Sequence, residues 1–170
     1  MLALKISVGD TTAASSEIAK MKLYEERLGQ AGATVFLTSS IVRRGQKFAA
    51  LLTSPVGRDL KPLKKDISAA LTSLRDLHVA GFSHGDARWK NAIILPDGKC
   101  RWIDLRSLED TADESQEYKE TEFHNDVTTF VESFGLTANL PASLTSSYLQ
   151  GGNATELLKA ISSTSASAEP

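Results

Sequence analysis

Apolar positions recur along this chain with two different periods. Leu2 to Ser7 runs apolar around the single Lys5 and stops at Gly9-Asp10, which predicts a short strand. Beyond it, Ser15 or Ser16 can cap a helix in which Ile18, Met21, Tyr24 and Leu28 share one stripe, with Gly29 or Gly32 ending it. Two further apolar runs, Ala33 to Ser39 and Phe48 to Thr53, lie either side of the basic turn Arg43-Arg44-Gly45 and complete a small sheet of three strands. Pro55-Val56-Gly57-Arg58 reads as a connector.

The second part of the chain is dominated by the helical period. Ile67, Ala70, Leu71, Leu74, Leu77 and His78 recur at threes and fours and predict a helix from Pro62 to Ala80, stopped by Gly81. Ala92 to Leu95 and Lys99 to Ile103 are two strands joined through Pro96-Asp97-Gly98, a hairpin turn. Arg106 to Glu120 is acidic and aperiodic, so a solvated loop is expected there in preference to a phosphorylated segment, with Thr111, Ser115 and Tyr118 as its open hydroxyl groups. Thr121 to Gly135 places Phe123, Val127, Phe130, Val131 and Phe134 on one helical face. Two short helices are expected at Pro141 to Gln150 and Thr155 to Ile161, and the Ser- and Ala-rich residues 162–170 are expected to be a disordered tail. The fold class is α+β.

Composition narrows the partners more than the fold. A chain of 170 residues holds one domain with a sizeable core, and 41% hydrophobic with 24% charged residues is ordinary for a globular protein. The net charge of −2 and the lack of a basic stripe argue against nucleic acid. The single cysteine, Cys100, excludes an internal disulfide framework. No apolar run reaches the length of a membrane span and no signal peptide is visible, so no membrane partner and a cytoplasmic or nuclear location are expected.

The candidate chemistry sits in His84 to Leu105. His84, Asp86 and Asn91 fall in the spacing H-x-D-x-x-x-x-N, and Asp104 closes the apolar run Trp102-Ile103-Asp104. The hairpin brings Asn91 and Asp104 to its open end, side by side, as one amide and one carboxylate oxygen donor. Hard oxygen donors of that kind suit a magnesium ion whose other octahedral positions are filled by water and phosphate oxygens. Each residue alone has a bland account as a loop former or surface charge; the joint spacing favours the chemical one.

These residues resemble the protein-kinase-like superfamily, in which a catalytic loop H-x-D-x-x-x-x-N precedes a metal-binding aspartate. The His-Gly-Asp form is similar to the aminoglycoside and choline kinase branch and to fungal kinase-like families, and Leu77-His78 with Gly81-Phe82 resembles the kinase lead-in. The resemblance implies a truncated small N-lobe sheet with its C-helix and a mainly helical C-lobe carrying the catalytic hairpin. It divides residues 1–161 into a partial N-lobe at 1–54, a hinge at 55–61 whose backbone meets the adenine edge, and a C-lobe at 62–161.

The roles it implies are those of ATP-dependent phosphoryl transfer to a hydroxyl of a protein or small molecule, with ATP and Mg2+ as cofactors. Asp86 orients and deprotonates the acceptor, Arg88 neutralises the γ-phosphate, and Asn91 and Asp104 hold metal. Lys5 binds the α- and β-phosphates, Ala3 packs on adenine, and Glu17 and Ile93 belong to the nucleotide site. Asp126 accepts hydrogen bonds from the catalytic-loop backbone, and His84 is a structural residue of that loop. The sequence departs from the pattern in three places. No glycine-rich loop is expected with only four residues ahead of Lys5, Asp104 is followed by Leu-Arg rather than Phe-Gly, and a related helix pattern puts the glutamate at Lys20. The alternative is therefore a pseudokinase, a nucleotide-binding or protein-interaction module without turnover.

Overall fold

The computed structural model describes residues 3–8, 11–29, 37–43, 46–53, 56–135 and 147–148. Contacts group the chain into two units, Met1–Gly57 with Asp104–Arg106, and Arg58–Ile103 with Ser107–Pro170.

The first unit contains β1 (Ala3–Val8), α1 (Thr11–Arg27), β2 (Leu37–Arg43) and β3 (Gln46–Thr53). The strands form one antiparallel sheet in the order β1-β3-β2, with Lys5 opposite Leu51 and Ile41 opposite Phe48. β2 continues past Ser39, where the predicted run ends, through Ile41-Val42 to Arg43, whose partner in the ladder is Gln46. Residues 33–36 lie outside the described residues. α1 starts four residues ahead of Ser15, at Thr11, where Ala13 and Ala14 are strong helix formers. Glu17 is consequently in the second turn of the helix. It is buried on the stripe of Met21 and Tyr24, with Glu25 buried a further turn along.

The second unit is built around two helices. β4 (Arg58–Asp59) leads into α2 (Lys64–Val79), followed by β5 (Phe82–Ser83), the hairpin strands β6 (Ala92–Ile94) and β7 (Cys100–Trp102), β8 (Glu109–Asp110) and α3 (Gln116–Glu132). β4, β6 and β7 form one small antiparallel sheet and β5 pairs with β8 in another. The apolar stripe of α2, with Ala70, Leu71, Leu74 and Leu77, is fully buried. On α3, Phe123, Val127, Phe130 and Val131 are buried, and Trp102 of β7 meets Phe130 edge-on with ring centroids 5.6 Å apart. Each such side chain stabilises the fold by about 1.5–3 kcal/mol through removal from water. Tyr148 adds to this core, donating its hydroxyl to the carbonyl of Leu71 on α2.

The loop expected over 106–120 is shorter. It contains β8, and α3 begins at Gln116 because Ser115 caps it, its Oγ accepting from the Tyr118 N–H at 3.2 Å. The polar residues that hid this turn from a hydrophobic-period reading are exposed ones. Thr111 is fully buried and donates its Oγ1–H to the carbonyl of Gly81 at 3.0 Å, so it is a clasp on the end of α2 rather than an open hydroxyl. The helix expected at 155–161 and the tail at 162–170 lie outside the described residues.

Candidate functional site

α2 delivers the chain to the site. Ala80 and Gly81 close its last turn, with Gly81 at φ +82, and β5 carries the chain on to His84. There α3 takes over: the buried Asp126 carboxylate accepts from the His84 N–H at 2.6 Å and from the Gly85 N–H at 2.9 Å. His78 of α2 lies 3.0 Å from the same carboxylate through Nε2 and stacks on Phe123. Burial holds the His78 imidazole below its usual pKa, so the ring is neutral and donates from Nε2 to Asp126. One carboxylate thus gathers two backbone donors and a ring donor in a dry environment. His78 therefore joins this network, beyond the plain packing role its position on α2 suggested.

Gly85 is required by geometry. Its φ is +72, and a Cβ at this position would lie 2.6 Å from the carbonyl oxygen of Ser107. This gives His-Gly-Asp its physical basis here: a side chain in the middle position meets backbone. Beyond it, the Asp86 N–H donates to Nδ1 of the buried His84 at 3.2 Å, which places the ring proton on Nε2.

Asp86 is held by side chains. Arg88 grips it at both oxygens, with Nε 2.6 Å from Oδ1 and Nη2 2.7 Å from Oδ2, and the Asn91 Nδ2 donates to Oδ2 at 2.9 Å. The same Nδ2 donates to the Asp86 carbonyl, also at 2.9 Å. The Arg88 guanidinium, helped by Asn91, holds the Asp86 carboxyl below its ordinary pKa against a smaller opposing effect of burial. Arg88 precedes and Asn91 ends a single helical turn, Trp89–Asn91, which is fixed by Ser133 at the end of α3: its Oγ accepts from the Trp89 N–H at 3.0 Å.

The β6–β7 hairpin has the predicted turn. Gly98 stands at φ +84, and Asp97 Oδ1 accepts from the Lys99 N–H at 3.0 Å. Ala92 opposes Trp102 and Ile93 opposes Arg101, and the Ile103 N–H donates to the Asn91 carbonyl at 2.8 Å. Asn91 therefore faces Ile103 across the ladder, one residue short of the expected pairing with Asp104. Asp104 follows at φ +58, the only non-glycine with positive φ among the described residues. Its Oδ1 accepts from Arg106 Nε at 2.8 Å and its Oδ2 from Arg106 Nη2 at 3.0 Å. Lys20 of α1 donates from Nζ to the Arg106 carbonyl at 2.7 Å. At the foot of α2, Arg58 binds both oxygens of the buried Asp66 at 2.6 and 2.8 Å, and this pairing brings the carboxyl down to about 2. Cys100 is a strand residue whose thiol burial pushes up to about 12.

The structure thus brings together Asp86, Arg88 and Asn91, and separately His84 with Asp126. Lys5 and Ala3 lie on β1, with side chains outside the described residues, so a pairing of Lys5 with Glu17 lies outside them too. Glu17 is buried on α1, and Ile93 is half-buried on β6. Arg106, Lys20 and Ser107 were not expected at the site. Arg106 had a signal, since Asp86-Ala87-Arg88 and Asp104-Leu105-Arg106 repeat the same D-x-R spacing. The carboxylate of Asp104 and the amide oxygen of Asn91 are each hard donors of the type that suits magnesium, and both Asn91 bonds use its amide nitrogen, leaving Oδ1 uncommitted among the described residues. Among the described residues no three His, Cys, Asp or Glu side chains form a metal-binding group, and no helix is long and apolar enough to cross a membrane.

The chain has a kinase-like fold. It resembles the crystal structure of monomeric WbdD, with a TM-score of 0.51 and 19% identity over 95% of this chain and 42% of that one. A second WbdD structure, described as a bifunctional kinase-methyltransferase, gives 0.44 and 15% over 96% of this chain and 45% of that one. A divergent kinase lacking the glycine-rich loop, which regulates membrane ultrastructure of the Toxoplasma parasitophorous vacuole, gives 0.47 and 14% over 79% and 55%. The chain spans about half the length of these structures. No protein-family model and no curated protein matches it by sequence.

Proposed function

We propose that the chain is an ATP-dependent phosphotransferase that moves the γ-phosphate of Mg-ATP to a hydroxyl group. The observation that carries this reading is the loop around Asp86: Asp126 fixes its backbone at His84 and Gly85, and Asn91 and Arg88 fix the Asp86 carboxylate. Such a transfer asks a protein chiefly for positioning and charge neutralisation.

In this reading the acceptor hydroxyl hydrogen-bonds to Asp86, which is ionised at neutral pH because Arg88 stabilises its charge. The hydroxyl oxygen attacks the γ-phosphorus, the bond from that phosphorus to the β,γ-bridging oxygen breaks, and ADP leaves with the electron pair. The acceptor proton passes to Asp86. Asp104 and Asn91 are the residues that would hold magnesium, which neutralises phosphate charge when bound. Lys5 would contact the α- and β-phosphates with Glu17 as its partner, Ala3 and Ile93 would line the nucleotide, and Arg88 would face the γ-phosphate.

The test is ADP production across a panel of protein and small hydroxyl acceptors, beside Asp86→Ala and Asp104→Ala. The proposal expects turnover in the parent and its loss in both variants; equal rates in all three proteins would remove it. One observation favours a second reading, a pseudokinase: both reaction carboxylates are occupied by arginines of the same chain. That reading expects Mg-ATP to raise the melting temperature by mass action with no acceptor phosphorylated.

A further inference from the structure

Arg106 has no part in the roles above, yet it engages both oxygens of Asp104 through one planar guanidinium, at 2.8 and 3.0 Å. The backbone builds this contact. Asp104 at φ +58 leads into the helical turn Leu105–Ser107, which folds Arg106 back onto the carboxylate it has just passed. Lys20 then binds the Arg106 carbonyl at 2.7 Å, tying the turn to α1. Lys20 is also the α1 position where the kinase helix pattern puts an acid.

We infer that Arg106 is a resident counter-ion that competes with a divalent cation for Asp104, and that Lys20 holds the turn presenting it. The inference rests on Asp104 as a metal ligand and deepens that reading into a regulation of the same site. Magnesium needs a carboxylate oxygen at about 2.0–2.1 Å in strict octahedral geometry. A guanidinium spread across both oxygens takes the directions the ion would use, and two cations on one carboxylate repel each other. The latch is exchangeable. The Asp104 side chain is 29% exposed and that of Arg106 60%, so the arginine swings into water without unfolding. Exposed pairs of this kind shift an equilibrium by about five-fold at most, which sets the size of the effect. It makes metal loading sensitive to the position of α1.

The experiment is a thermal-shift titration of magnesium at fixed ATP, on the full chain and on Arg106→Ala, Arg106→Gln, Arg106→Lys, Lys20→Met and Asp104→Asn. Arg106→Ala and Arg106→Gln are expected to reach half-saturation at about three- to five-fold lower magnesium. Arg106→Lys falls between them and the parent, and Lys20→Met moves the same way by less. An unchanged or raised midpoint in Arg106→Gln, with magnesium dependence lost in Asp104→Asn, overturns the latch and leaves the metal role standing. Unaltered magnesium dependence in Asp104→Asn removes the metal role and the latch with it. A parent and an Arg106→Gln variant that both lack any magnesium-dependent shift overturn it as well.

Discussion

Asp126 and Asp104 are both carboxylates of the candidate site, and the chain treats them in opposite ways. Asp126 is 2% exposed and receives two backbone N–H groups and the His78 ring. Asp104, with its side chain 29% exposed, is gripped by an arginine that is itself mostly in water. Backbone donors cannot leave without local unfolding, whereas an exposed guanidinium rotates away at little cost. In the proposed phosphotransferase the difference separates the scaffold from the reacting groups: positions that shape the loop are fixed by main chain and burial, while those proposed to meet a ligand are held by partners that exchange. Asp86 belongs with Asp104 in this division, and Asp66 lies between, being buried but paired with the half-exposed Arg58.

The sharpest way to break the comparison is Asp126→Ala. It strips three donors of their acceptor in a buried site, and a loss of about 3 kcal/mol in urea unfolding is expected. A loss near zero would mean the loop is held by something else. Gly85→Ala comes next, at about 2 kcal/mol, because its Cβ meets the Ser107 carbonyl at 2.6 Å on a backbone with φ +72. The same unfolding assay reads it.

Acid titration places Asp66 on the scale. Its folded pKa, about 2, lies below the unfolded value, so the pair contributes stability in full above the ordinary carboxylate range. That contribution is lost as the pH falls from about 4 through 2. Asp66→Asn should flatten this part of the stability-against-pH curve; an unaltered slope would count against the pairing. Arg88→Met is the mildest change. Arg88 is 60% exposed, so stability should move by less than about 0.5 kcal/mol, while the acid limb of turnover rises toward the usual carboxylate pKa. A limb that stays in place would detach Arg88 from Asp86.

Much of the scaffold was legible because its signals are local. The period of α2, the Pro96-Asp97-Gly98 turn and the spacing of His84, Asp86 and Asn91 each state their structure within a few residues, and Asp126 followed from the resemblance to kinases. What was hidden depends on contacts distant in sequence. No pattern around Gly85 reveals Ser107 as its neighbour, and none around Lys20 reveals the Arg106 carbonyl. α3 started early because Ser115 supplies a cap ahead of the apolar stripe, in a run whose acidic character suggested a loop. The continuation of β2 beyond Ser39 follows its pairing with β3 as far as Arg43 opposite Gln46, which apolar content alone does not register.

The phosphotransferase reading meets its most direct test in transfer of label from γ-labelled ATP by the parent chain and Asp86→Asn. The substitution keeps the side chain's shape while removing its charge and proton-accepting capacity. Transfer is expected to fall by about 100-fold or more, with the melting temperature and the Mg-ATP shift retained. Label transferred by Asp86→Asn at the parent rate would contradict the assignment of Asp86 and the mechanism built on it.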